Sequence, residues 1–132
     1  MIHLQTTQRS FSEVCDRMAS ACQSQGYGVL AQHNDGETLR SKGIDYSGQC
    51  IVFEICQPVH AAAILKADPT LASGLPCRVA ISQTDSGEVM LSMCSPERLF
   101  RDISSKAEVL AIAQQVEEET RPIIGRAAYE LR

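Results

Sequence analysis

Cysteine is the residue type in this sequence best suited to chemistry. The 132 residues include six cysteines, of which Cys56 and Cys77 each stand at a predicted strand end that a proline marks. The helix that begins near Pro58 is expected to offer free N–H groups and a positive dipole to a neighbouring ligand or thiolate. A thiolate there would have a lowered pKa and a raised reactivity. The pattern indicates a thiol or persulfide site, or a soft ligand to a metal or haem; the alternative is that both thiols pack as small buried side chains.

His60 lies one turn into the same predicted helix. It is the first candidate for an axial haem ligand, because a single His, Met or Cys can suffice. The alternative is a histidine on a solvated helix surface. The sequence has no CxxC pair and its three histidines are far apart, so a structural zinc site has little support and no metal site is predicted.

Glu54 and Arg78 have the same outward direction on two predicted strands, which favours a cross-strand ion pair. Glu54, Cys56 and His60 would form a conceivable catalytic set if the fold brought them within hydrogen-bond reach. The sequence contains no phosphate-binding glycine loop, no GxSxG elbow and no HExxH helix. A standard hydrolase or a nucleotide-using enzyme is therefore disfavoured, and no catalytic residue is assigned.

Alternation of apolar and polar residues predicts five strands that would position these side chains. In chain order they span residues 2–7, 27–33 and 50–56, the segment opened by Pro76, and residues 88–94. Asp85-Ser86-Gly87 predicts a hairpin between the last two strands.

Two helices have clear start and stop signals. Ser10 offers an N-cap, Glu13 completes a capping box, and Gly26 stops the first helix. Pro58 suits the first turn of the next helix, which Asp68-Pro69 ends.

The remaining segments are less regular. Residues 35–43 read as a loop or short helix, and a helical turn runs from Pro96 to Phe100. Ser105 and Glu108 form a second capping box before the long closing helix, which Pro122 is expected to kink or divide.

The resulting order is β-α-β-β-α-β-β-α. It predicts an α/β fold of the α+β type that forms one domain over residues 1–132. The predicted architecture is a two-layer sandwich, in which helices cover one face of a mainly antiparallel or mixed sheet. The uncovered face would hold Cys50, Val52, Glu54, Cys56, Ala80, Ser82, Met90, Ser92 and Cys94. Such a mixture is too apolar to remain open, so a second subunit, a ligand or both should cover it.

Four short motifs together resemble the domain-of-unknown-function-302 family of small bacterial α/β domains. They are Gly26-Tyr27-Gly28-Val29-Leu30, Cys56-Gln57-Pro58 followed by Ala61, Leu65 and Ala67-Asp68-Pro69, Leu75-Pro76-Cys77-Arg78-Val79, and Ser95-Pro96. With the closing helix, the resemblance covers nearly the whole chain. It implies a two-layer α/β fold, usually a homodimer, with no established activity.

The other four cysteines, Cys15, Cys22, Cys50 and Cys94, are not part of that family pattern. Cys15 and Cys22 lie on the apolar stripe of the first helix and are predicted to pack in the core. Cys50 and Cys94 point to the uncovered face, where dimer contact is the simpler reading. These four cysteines either fill space in the core or indicate a branch of the family that uses thiols in its function.

Charge and hydropathy limit the partners. The net charge is −4, the pI is about 5.3 and the basic residues are scattered, which argues against nucleic acid. The amino terminus lacks a signal-peptide pattern, and no run approaches the roughly 18 apolar residues of a membrane span. We therefore expect a cytoplasmic protein with reduced thiols and no membrane partner.

Two functions are consistent with these observations. The favoured one is a homodimeric, non-catalytic binding module for a small ligand or cofactor, with haem as one candidate. The alternative is a cytoplasmic thiol protein that carries sulfur or senses redox state through Cys56 or Cys77, with Cys94 as a further participant.

Overall fold

The computed structural model describes residues 1–129 and contains a five-stranded sheet. The strands are β1 Ile2–Thr7, β2 Gly28–Asn34, β3 Gln49–Cys56, β4 Cys77–Gln83 and β5 Val89–Cys94. Their spatial order is β1-β5-β4-β3-β2, and every neighbouring pair is antiparallel. The predicted α/β fold is confirmed, and of the two sheet types left open, mainly antiparallel and mixed, the observed sheet is antiparallel.

Five α-helices and one 3₁₀ helix connect or cover these strands in the described chain. The helices are α1 Phe11–Gln23, α2 Asp35–Ser41, α3 Pro58–Ala67, α4 Pro96–Ile103 and α5 Ala107–Ala128, and the 3₁₀ helix is Pro69–Gly74. Buried residues of α1 and α5 form one hydrophobic core with β3, β4 and β5. A second, smaller cluster joins α3, the 3₁₀ helix, α4 and α5 beside that core.

The alternation of side chains along the central strands decides which sheet face is buried. Phe53 and Ile55 of β3 pack into the core, as do Val79 and Ile81 of β4 and, on β5, Val89, Leu91 and Met93. The opposite face, which we call the open face, carries the predicted residues of β3, β4 and β5 and is joined by Ile2 and Leu4 of β1. Ile2 and Leu4 are 63% and 61% exposed.

The first helix begins and ends where the sequence predicts. Ser10 is the N-cap, and its side chain accepts a hydrogen bond from the Glu13 N–H at 3.1 Å. Gly26 has a φ of +78°, a left-handed conformation that glycine adopts without steric cost, and the Tyr27 N–H then bonds back to the Cys22 carbonyl at 2.9 Å.

Three local predictions need correction or refinement. Residues 35–41 are helical, capped by the side chain of Asn34, and α4 continues three residues beyond Phe100. The second capping box is wrong: Lys106 is the N-cap of α5, without a side-chain cap, and its ammonium donates instead to the Ala67 carbonyl at 2.6 Å.

Pro122 does not divide α5, which is one helix from Ala107 to Ala128. Proline in a helix interior costs about 3 kcal/mol because it removes a hydrogen bond and crowds the preceding turn. Here Pro122 is exposed, whereas Val116, Ile123 and Ile124 on either side of it are buried. Packing of that apolar stripe outweighs the local cost. Within residues 1–129, no helix has both the length and the apolar character that a membrane crossing requires.

Candidate functional site

A small cleft lies where the end of β3 meets the start of β4. Cys56 is the last residue of β3, Cys77 is the first of β4, and the antiparallel register sets Ile55 opposite Cys77. Tyr27 and His60 also line this cleft. Its free volume is about 20 Å³, which holds a water-sized molecule but no organic ligand.

A larger groove adjoins the cleft on the other side of Pro76, Cys77 and Phe100, which line both. The 3₁₀ helix, the start of β4, the end of β5 and α4 form its walls, with Cys94 and Leu99 among the lining residues. Its volume is about 290 Å³. Small-ligand sites usually occupy roughly 300–1,000 Å³, so the groove is at the lower end of that range.

Five of the six predicted site residues line these two cavities: Cys56 and His60 the cleft, Arg78 and Cys94 the groove, and Cys77 both. Glu54 lies beside them on the open face. Its carboxylate is 3.6 Å from the Arg78 guanidinium Nε and 3.2 Å from His33 Nε2. The predicted Glu54–Arg78 ion pair is therefore confirmed.

The carboxylate beside His60 comes from α5 and not from β3. Glu119 Oε1 lies 2.9 Å from His60 Nε2 and accepts a hydrogen bond from the Tyr27 hydroxyl, also at 2.9 Å. The structure thus does not bring Glu54 to His60, and the conceivable set of Glu54, Cys56 and His60 is not assembled.

Sequence reasoning missed Tyr27 and Glu119 as site residues, although each carries a weak signal. Glu119 follows Val116 by three residues and precedes Ile123 by four, which sets a carboxylate beside the apolar stripe of α5. Tyr27 begins the predicted strand 27–33, and a tyrosine that packs at a strand end needs a hydrogen-bond partner for its hydroxyl.

Comparison with known proteins agrees with the fold and with the family that the sequence resembles. The family model described as "Domain of unknown function DUF302" matches residues 2–127. The chain belongs to the DUF302 family. A similar solved structure is the crystal structure of the uncharacterized conserved protein DUF302 from Bacillus stearothermophilus, with 25% identity and a TM-score of 0.89 over 96% of this chain and 97% of that one. No curated protein matches the sequence.

The thiols of this DUF302 chain are less acidic at the cleft than the sequence suggested. Burial raises the pKa of Cys56, and burial together with the nearby Cys56 and Glu117 raises the pKa of Cys77 to about 12. The expected free N–H groups of α3 are already bonded, because Gln57 Oε1 accepts from the N–H groups of Val59 and His60 at 2.6 and 3.1 Å. The prediction of a lowered thiol pKa is wrong because desolvation dominates.

Elsewhere in this DUF302 fold, burial also raises the pKa of Cys15 and of Cys22 to about 11. Cys22 is fully buried and Cys15 packs against the same core, as predicted from their helical spacing. Burial, with the charge of Asp35, raises the pKa of Cys50, whereas Cys94 is exposed at the groove.

The haem candidate does not fit the cleft. Its free volume is far smaller than a porphyrin, and the Nε2 atom of His60 is engaged with Glu119. Among residues 1–129, no group of three or more His, Cys, Asp and Glu side chains is arranged to hold a metal ion.

Proposed function

We propose that this DUF302 chain is a homodimeric, non-catalytic binding module for a small, largely apolar ligand. One observation carries the proposal: a groove of about 290 Å³ with mainly apolar walls lies beside the cleft and shares Pro76, Cys77 and Phe100 with it. Apolar concave sites with a few polar groups are the usual form of small-ligand sites. The groove by itself supplies the volume for such a ligand.

The chemistry of the thiols favours binding over sulfur transfer. A thiol reacts as its thiolate, and the raised pKa values of Cys56 and Cys77 keep both thiols protonated at neutral pH. His60 has an orienting carboxylate in Glu119, but a base also needs an activated nucleophile in hydrogen-bond reach. The alternative of a redox-sensing or sulfur-carrying protein therefore receives less support than the binding module.

The open face supports the dimer. Ile2 and Leu4 are exposed there beside half-buried apolar residues such as Val52 and Met90. Covering each large aliphatic side chain contributes about 1.5–3 kcal/mol before the cost of association. The proposed two-fold contact centres on Leu4, Val52 and Met90. It leaves Arg78, which lies at the other end of the open face, free to line the groove.

Binding in the groove is tested with a neutral probe, 3-phenylpropanamide, followed by amide chemical shifts in ¹H–¹⁵N spectra. We expect shifts at residues that line the groove, such as Gly74, Cys94 and Leu99. Ser73→Trp should block the groove and abolish these shifts. Ala72→Trp is the matched control, because Ala72 is also exposed on the same 3₁₀ helix but does not line the groove. Shifts elsewhere, or shifts that persist in Ser73→Trp, would contradict the proposal.

The dimer is tested by native mass spectrometry and sedimentation velocity. We expect a dimer for the wild type and a monomer for Leu4→Asp, which sets a charge on the open face. Val59→Asp is the control, since Val59 is 70% exposed on α3, away from the sheet. A monomeric wild type, or a dimer that survives Leu4→Asp but not Val59→Asp, would refute the use of the open face.

A further inference from the structure

The groove has a single charged side chain among the residues that line it. Arg78 supplies that charge, whereas Pro76, Pro96, Leu99 and Phe100 supply apolar walls. A ligand that fills the groove therefore meets an apolar surface along most of its length and a cation at one place. This charge pattern is complementary to a small molecule with an apolar body and one negative group.

The ion pair of Arg78 leaves its guanidinium able to take a second partner. The Glu54 carboxylate approaches Nε at 3.6 Å, well beyond the roughly 2.7–2.9 Å of a strong charge-assisted hydrogen bond. The Arg78 side chain is also 54% exposed, and exposed ion pairs of this kind contribute little to stability. An incoming carboxylate can replace or join Glu54 at low cost, and the planar guanidinium matches a carboxylate with two parallel hydrogen bonds.

We infer that the ligand of the groove is a small monocarboxylic acid, bound as its anion, with the carboxylate on Arg78 and the apolar body against Leu99 and Phe100. The inference rests on the proposed binding function and names its ligand class. The volume of about 290 Å³ restricts the acid to a compact body. A phosphate ester would bring about −1.5 to −2 charges at neutral pH, which the single cation matches less well.

The test compares two probes that differ only in charge, 3-phenylpropionate and 3-phenylpropanamide, in ¹H–¹⁵N titrations of the full chain. We expect the acid to bind about tenfold more tightly than the amide, the usual scale of one charge-assisted contact at a half-exposed site. Added salt should weaken binding of the acid and leave binding of the amide nearly unchanged, because salt screens exposed charges.

Variants assign the preference to Arg78. Arg78→Gln should lower the affinity for the acid to that for the amide. Arg78→Lys should retain part of the preference for the acid, because it keeps the positive charge without the planar guanidinium. Arg101→Gln is the matched control: Arg101 is 56% exposed, pairs with Glu97 at 3.6 Å and does not line the groove. Glu54→Gln should tighten binding of the acid by up to about fivefold, because it removes the competing carboxylate.

The outcomes separate this inference from the proposed function. If both probes bind the groove equally, or if Arg101→Gln removes the preference as fully as Arg78→Gln, the carboxylate inference is overturned while the binding module stands. If neither probe shifts the groove resonances, the carboxylate inference and the proposed binding function are both refuted. A preference lost in Arg78→Gln, kept in Arg101→Gln and increased in Glu54→Gln supports the inference.

Discussion

Replacement of Glu117 by glutamine is expected to lower the free energy of unfolding by about 2 kcal/mol at neutral pH. Glu117 is only 5% exposed, and its carboxylate joins three elements of the fold. Oε1 accepts hydrogen bonds from the Ser95 hydroxyl at 2.5 Å and from the Glu97 N–H at 3.2 Å, at the start of α4. Oε2 contacts His3 of β1 and Arg121 of α5. Because α4 forms one wall of the groove, this carboxylate also supports the proposed ligand site.

The magnitude follows from the change of charge on the acceptor. A hydrogen bond to a charged group contributes about 1.5–3 kcal/mol and a neutral one about 0.5–1.5 kcal/mol. The two bonds at the start of α4 each lose about 1 kcal/mol when the carboxylate becomes an amide. The Arg121 contact adds little because that side chain is 61% exposed. For 132 residues, a loss of 2 kcal/mol corresponds to a fall in Tm of about 7 °C.

The loss should depend on pH in a defined direction. Burial alone raises the pKa of Glu117, but hydrogen bonds from Ser95, from the Glu97 N–H and from His3 outweigh it and hold this pKa below the ordinary value of 4.5. A carboxyl group with a lowered pKa in the folded state stabilises the fold above its unfolded pKa, and this contribution is lost as the pH falls through the folded pKa. The difference between wild type and Glu117→Gln should therefore be widest near pH 7 and narrow below pH 4.5.

The assay is urea unfolding followed by far-ultraviolet circular dichroism, since the chain has no tryptophan. Glu118→Gln is the control, because Glu118 is the exposed neighbour of Glu117 on the same helix. It should change stability by less than about 0.5 kcal/mol. Equal stability of the two variants at pH 7, or a difference that stays constant down to about pH 3.5, would refute the role of the buried carboxylate.

Three further predictions concern other sites. In the folded protein at neutral pH, the exposed Cys94 should react with a disulfide reagent well before Cys77, because burial raises the pKa of Cys77 to about 12. Equal reaction rates of the two thiols, followed by mass spectrometry, would contradict this prediction. Tyr27→Phe should lower the free energy of unfolding, measured with urea, by about 1.5–3 kcal/mol, because it removes the hydroxyl that donates to Glu119 at 2.9 Å. An unchanged urea midpoint would show that this hydrogen bond is dispensable. Gly125→Ala should stabilise α5 by about 0.5–1 kcal/mol, since an added Cβ meets nothing within 4 Å; a lower Tm would reveal crowding that the structure does not show.

The sequence by itself determined the strands, the parity of their side chains and the family. Alternation in β3 set Phe53 and Ile55 inward and Glu54 outward, and the same rule in β4 set Arg78 outward, so their ion pair was predictable. These features are local because strand side chains alternate every two residues, whatever the rest of the chain does. The start of the first helix was equally predictable from the sequence, because Ser10 and Glu13 form its cap within four residues.

Only the tertiary structure decided the partners of the polar groups and the acidity of the thiols. His60 and Glu119 are 59 residues apart, and β1 and α5 meet through His3 and Glu117 across 114 residues. No spacing rule pairs such residues, because their contact depends on how α5 packs across the sheet and against α3. The pKa of Cys77 likewise follows from desolvation by that packing, which a residue's neighbours in sequence do not specify.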